Sequence, residues 1–140
     1  MQGPSGVRFT VAARSDQLAA CVDLVSGEYW NLNVPRERLD RAHVGSTAHI
    51  VGELDGVVVA TIRAVSDGAK HAWLGDVAVA SPLRGQGVGG ALLRLMLDHP
   101  AVRDTTVDVR TLDAMKFYER FGFRTVARVD GKSAMVRPRH

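Results

Sequence analysis

The chain has 140 residues, 46% of them hydrophobic and 24% charged, with a formal net charge of +3. That length suits one domain with one core over residues 1–140, and no apolar run approaches the roughly 18 residues of a membrane helix. The opening Met1-Gln2-Gly3-Pro4-Ser5-Gly6 has no apolar signal core, and Cys21 stands alone, so the expectation is a cytoplasmic protein with no internal disulfide and no membrane partner.

Residues 7–12 read as a short strand. Ser15 is a candidate N-cap, and Asp16 favours the first turn of a helix. Leu18, Val22 and Val25 recur at helical spacing to about Ser26-Gly27. Cys21 lies within that helix as a small core or flank residue, since nothing beside it in sequence would activate a thiol. Tyr29-Trp30 end the segment, and Pro35 opens a second short helix over 36–43. Residues 49–53 and 57–65 are strands joined at Asp55-Gly56, a hairpin turn because both residues tolerate positive φ. Asp67-Gly68 turns the chain again, and 72–80 forms a third antiparallel strand. Gly75 inside it signals a bulge or a close backbone approach.

Ser81-Pro82 breaks that strand, and Gly85, Gly87, Gly89 and Gly90 then crowd the entry to an apolar helix. Without a Cβ, glycine lets the backbone come close to a ligand. The first N–H groups of a helix lack partners inside it and carry the positive end of its dipole, so they bind phosphate. Arg84 adds a full charge at the same lip, which makes a pyrophosphate the natural ligand. Val88, Leu92, Leu95 and Met96 share a helix face that Leu93 and Leu97 widen, and the helix runs to about Asp98, before Pro100. Residues 105–110 are β-branched and return after a helical crossover, so they should lie parallel to the preceding strand. Asp113 is the candidate N-cap of a helix over 114–121, and Gly122 fits its left-handed C′ position. Residues 123–129 and 133–136 are strands about the turn Asp130-Gly131. The order is β-α-α-β-β-β-α-β-α-β-β.

Two stretches, Arg84-x-x-Gly87-x-Gly89 and Ala114-Met115-Lys116-Phe117-Tyr118-Glu119-Arg120-Phe121-Gly122-Phe123, resemble the acyl-CoA loop and the Tyr-bearing helix of the GNAT superfamily of N-acetyltransferases. The resemblance covers residues 71–126, and the flanking elements agree in order. It implies an α/β (α+β) fold: a mixed, mostly antiparallel sheet flanked by helices, with a V-shaped splay between the two central strands. It implies acetyl-CoA as cosubstrate, and a primary amine, small-molecule or peptide, attacking it directly in a ternary complex. Arg84, Gly85, Gln86, Gly87, Val88, Gly89 and Gly90 would then form the pyrophosphate loop. The backbone of Val77, Ala78 and Val79 would pair with the pantetheine arm, and an N–H near Val77 would polarise the thioester carbonyl. Tyr29 and Trp30 would wall the acceptor site, with Trp73 as a further aromatic wall, and homodimers are common among relatives. Thr111-Leu112-Asp113 lacks the asparagine that many relatives place before the Tyr helix.

Gly85 to Gly90 also satisfy G-x-G-x-x-G, with Asp108 about 20 residues on as a Rossmann ribose ligand would be. Context opposes that: residues 81–84 separate strand from glycines, and the chain is too short for a second nucleotide-binding half. A P-loop fails because no Gly-Lys-Ser/Thr follows. A plain structural turn needs fewer than four glycines.

Tyr118 is the favoured group beside the leaving sulfur, either as an acid or as a hydrogen-bond donor to the thiolate. Asp76, a carboxylate within an apolar strand, is the candidate general base, by the resemblance through a water; the competing reading is that it fixes the bulge. Asp108 is a weaker candidate base. His43, His49, His71, His99 and His140 are scattered in sequence, so no metal is expected. Two other functions compete with the enzyme: a CoA-binding sensor without turnover on the same fold, and a nucleic-acid binder. Dispersed basic residues, clustered only at Arg137-Pro138-Arg139, and the lack of a basic, aromatic-rich patch weigh against the last.

Overall fold

The computed structural model describes residues 2–11 and 13–139; Ala12, the expected end of the first strand, and His140 lie outside the described residues. The strands are β1 (Arg8–Thr10), β2 (Ala48–Leu54), β3 (Val57–Ser66), β4 (His71–Val79), β5 (Thr106–Thr111), β6 (Arg124–Val129) and β7 (Lys132–Arg137). They form one mixed sheet in the order β1-β2-β3-β4-β5-β7-β6, antiparallel except for β4 with β5. The last hairpin thus inserts β7 beside β5 and leaves β6 at the edge. Asp55 (φ 52) with Gly56 (φ 78), and Asp130 (φ 50) with Gly131 (φ 78), supply the paired positive φ values that two-residue hairpins require.

The helices are α1 (Ser15–Ser26), α2 (Arg36–Val44), α3 (Val88–Asp98) and α4 (Met115–Glu119). α3 buries Val88, Leu92, Leu93, Met96 and Leu97 in a core shared with Ile50, Ile62, Leu74, Val107 and Met135. Each such side chain contributes about 2 kcal/mol relative to exposure. α1 lies against β3 and β4 and buries Cys21, Val22 and Val25. β2, against which α3 packs, is buried through residues 48–52 without the alternation of a half-exposed strand.

Two helix starts differ from expectation. Arg14 rather than Ser15 is the N-cap of α1, and Gln17 Oε1 accepts the Arg14 N–H at 2.8 Å. α4 begins after Ala114, whose N–H is bonded by Thr111 Oγ1 at 2.9 Å, not by Asp113. The β-branched hydroxyl at the end of β5 thus holds the turn before α4, and no side chain caps the helix itself.

Two irregularities shape the centre of the sheet. Arg63 pairs with Gly75 and Thr61 with Ala78, so Ile62 faces two residues, Asp76 and Val77. The left-handed residue of this bulge is Asp76, at φ 47, one place beyond the glycine that signalled it. Gly75 serves the close approach instead: a Cβ there would lie 2.2 Å from the Trp73 indole. The second irregularity is the gap between β4 and β5. They pair only at His71–Thr106, Ala72–Val107 and Trp73–Asp108, and from Leu74 and Val109 onward they part. This is the expected V-shaped splay.

Candidate active site

The splay opens into a cleft of 290 Å³, and a second cleft of 540 Å³ lies at the end of β4 beside the glycine loop. α4 stands between them: Tyr118 lines the smaller cleft and Phe117 the larger, with ring centroids 5.1 Å apart. Gly122 at φ 91 ends that helix, and the Phe123 N–H returns to the Tyr118 carbonyl. Phe123 then packs 5.5 Å from the Tyr118 ring, so the C-terminal turn fixes the tyrosine from behind.

The larger cleft is the phosphate side. Val79, Arg84, Gly85, Gly87, Gly89 and Gly90 line it, so most of the expected loop is brought together. Gly87, at φ 85, is the N-cap of α3. Its carbonyl accepts the Ala91 N–H, so the amides of Val88, Gly89 and Gly90 precede the first hydrogen bond of the helix. A Cβ on Gly89 would lie 3.7 Å from both Val79 and Phe117, filling the floor of the cleft. These residues fit an extended polyanion. The side chains of Val88 and Ala78 are buried, and that of Gln86 bonds the Pro82 carbonyl and Ser5, which leaves the backbone of all three for the contacts expected of it.

Arg84 differs from expectation in its partners. Its Nε donates to the Val79 carbonyl at 3.0 Å, and its guanidinium pairs with Glu28 at 3.3 Å. Two other cations at this cleft, Arg94 and Arg120, were not anticipated. They lie 5.2 Å from the Phe121 ring and 5.6 Å from the Phe117 ring, within cation–π range. Helical spacing held a clue, since Arg94 follows Gly90 by one turn and Arg120 follows Phe117 by three residues.

The smaller cleft gathers all three expected aromatic walls, Tyr29, Trp30 and Trp73, with Tyr118, Val77 and Asp76. Sequence reasoning missed Asn31, Arg63, Arg110 and Lys132 here, because each comes from a separate element. Asp76 is held on every side. Arg63 Nε donates to one carboxylate oxygen at 2.7 Å, while Trp30 Nε1 at 2.7 Å and Asn31 Nδ2 at 2.8 Å donate to the other. Burial pushes its carboxyl up, but the hydrogen bonds from Arg63, Trp30 and Asn31 outweigh that and hold it below the usual carboxylate range. Asp76 is thus engaged as the bulge anchor that competes with its reading as a base: Oδ1 accepts two hydrogen bonds and Oδ2 accepts one. Asp108 lines neither cleft and sits in register with Trp73 and Val136. Burial, followed by the charge of Tyr29, raises the Tyr118 phenol above its ordinary value, so it stays protonated.

The chain order also concealed a buried polar cluster. His43 and His49, scattered in sequence, meet with ring centroids 5.3 Å apart, and His49 Nε2 is 2.7 Å from Thr61 Oγ1. Burial raises the Cys21 thiol. Among the described residues no group of three His, Cys, Asp or Glu is placed to hold a metal ion, and no helix is long and apolar enough to cross a membrane.

Residues 14–123 match the family model described as the acetyltransferase (GNAT) family, and the chain belongs to that family. Among solved structures it is similar to Escherichia coli ElaA: 25% identity, a TM-score of 0.75, and coverage of 94% of this chain and 99% of that one. A GNAT-family putative acetyltransferase from Xanthomonas campestris is 29% identical, with a TM-score of 0.75 over 89% of this chain and 95% of that one. Arabidopsis thaliana Naa50, solved with the bisubstrate analogue CoA-Ac-MVNAL, shares the fold at 19% identity, with a TM-score of 0.74 over 93% and 96% of the two chains. No curated protein matches the sequence.

Proposed function

We propose that this protein is an N-acetyltransferase that moves the acetyl group of acetyl-CoA to a primary amine by direct attack in a ternary complex. The observation that carries this reading is the β4–β5 gap, with an aromatic cleft within it and a cationic, glycine-lined cleft at the end of β4. Bound acetyl-CoA supplies an activated thioester. The open amides of Val88, Gly89 and Gly90, with Arg94 and Arg120, bind its phosphates. The β4 backbone from Val77 to Val79 flanks the gap through which the pantetheine arm passes. Arg84, tied to Val79 and Glu28, shapes the lip of the loop.

In the aromatic cleft the neutral amine nitrogen bonds to the carbonyl carbon as the C–S bond breaks, the electron pair departs on sulfur, and the proton that the nitrogen then sheds ends on the thiolate, giving the amide and free CoA thiol. The ammonium proton must leave before attack. For a lysine-like amine of pKa near 10.4 this costs roughly 4.6 kcal/mol at pH 7, against about 2 kcal/mol to hold a thiol of pKa 8.5 as thiolate. Tyr118, kept neutral, donates a hydrogen bond to the developing thiolate and does not need to give up its proton. Asp76 positions Trp30 and Asn31 and shapes the cleft, and water takes the amine's proton. The acceptor is a small-molecule or peptide amine. Neither nucleic acid nor membrane enters this reading, which places the enzyme in the cytoplasm, alone or as a homodimer.

Titration calorimetry with acetyl-CoA, followed by release of CoA thiol across an amine panel, tests the proposal. Heat of binding with thiol release is the expected result. Binding without transfer to any amine would favour the sensor reading, and no binding at all would remove both.

A further inference from the structure

If the aromatic cleft receives the amine, its charges select which amine. Five ionised side chains line it: Arg63, Asp76, Arg110, Asp113 and Lys132. Arg63 and Asp76 neutralise each other at 2.7 Å. What remains is Arg110 and Lys132 against the exposed Asp113, a net positive balance. Lys132 opens β7, and its ammonium lies 5.7 Å from the Tyr29 ring, so it bridges the mouth of the cleft from β7 to the segment after α1. Arg110 rises from β5 on the side where that strand has left β4.

A positive mouth acts on an acceptor in two ways. It disfavours the ammonium form of the incoming amine, which assists its proton loss where Asp76 is engaged by Arg63, Trp30 and Asn31. It also repels an acceptor bearing a second cation and attracts one bearing an anion. The walls, Trp30 and Trp73, suit a flat or apolar body.

We propose that the acceptor is a primary amine whose flat or apolar body carries a carboxylate, with that carboxylate facing Arg110 and Lys132. The two cations are specificity-determining residues and take no part in bond making. Diamines and polyamines are disfavoured by the same charges.

The test uses matched benzylic amines of similar basicity: para-(aminomethyl)benzoate, its neutral benzamide, and para-xylylenediamine. Acetylation of the benzoate should exceed that of the benzamide by about tenfold in kcat/KM at low salt, with the diamine slowest. The benzoate-to-benzamide ratio should fall toward one in Arg110→Gln and in Lys132→Gln, and, in the unaltered protein, as salt is raised. A ratio near one at low salt, or a preference for the diamine, overturns the inference while leaving the acetyltransferase reading intact. Acetyl-CoA binding with no amine acetylated overturns both, so the two failures are told apart.

Discussion

Arg63 Nε lies 2.7 Å from Asp76 Oδ2, and the same guanidinium lies 5.2 Å from the Trp73 ring. One side chain of β3 thus locks the bulge of β4 and supports an aromatic wall of the cleft. Both side chains are nearly buried, at 11% and 5% exposure. Removing one partner leaves the other charge desolvated. Arg63→Met should therefore cost about 3 kcal/mol or more. It should lower the urea midpoint at an unchanged slope. The double variant Arg63→Met/Asp76→Asn should cost less than the sum of its singles, since the two groups share one interaction. Additive losses would show that the pair is not coupled.

Tyr118→Phe separates chemistry from architecture. The ring packs against Phe117 and Phe123 and keeps those contacts in the variant. Folding should be little affected, because Tyr118 lines the cleft and no hydrogen bond to its hydroxyl forms among the described residues. kcat should fall by about a hundredfold, the loss typical of one donor to a developing anion. CoA affinity should stay within about twofold, because an interaction made mainly in the transition state contributes little to ground-state binding. Because burial raises the phenol, activity should climb with pH as the acceptor amine deprotonates, with no falling limb from Tyr118 in the neutral range. An unchanged kcat would remove the tyrosine from the mechanism.

Gly75→Ala probes the wall directly. Its methyl group would lie 2.2 Å from the Trp73 indole, which would have to swing off the strand. The overpacking should cost about 1–3 kcal/mol. The acceptor KM should rise more than the acetyl-CoA KM, since Trp73 lines the aromatic cleft and not the phosphate cleft. Equal effects on both constants would mean that the indole is not part of acceptor binding.

Much of this architecture was legible because it rests on local chemistry. Asp55-Gly56 and Asp130-Gly131 dictate hairpins through their backbone preferences, and α3 declares itself by its apolar face. The glycine loop and Tyr118 also stand in contiguous motifs. What escaped was set by residues far apart in the chain. Nothing near Asp76 in sequence announces that Trp30, Asn31 and Arg63 will consume its oxygens, so an isolated carboxylate looked available as a base. Its φ of 47 became intelligible only with those three partners in place. Arg110 and Lys132 likewise lie 22 positions apart and meet across one cleft only because β7 inserts beside β5.

His49 gives the fold a dependence on acid. It is 7% exposed, and its pKa is depressed to about 4, first by burial and then by the charges of His43 and Arg63. An unfolded histidine titrates near 6.5, so the unfolded chain takes up this proton at higher pH than the folded chain does. The stabilisation from a neutral His49 is complete above about pH 6.5 and is lost as pH falls toward 4. The depression corresponds to a loss of order 3 kcal/mol across that window. His43, 2% exposed and also depressed by burial, adds in the same direction. Urea unfolding at steps between pH 7 and pH 4 should show the decline. In His49→Gln, which retains a group able to bond Thr61 but cannot titrate, the curve should flatten; an equally steep decline would place the acid sensitivity elsewhere.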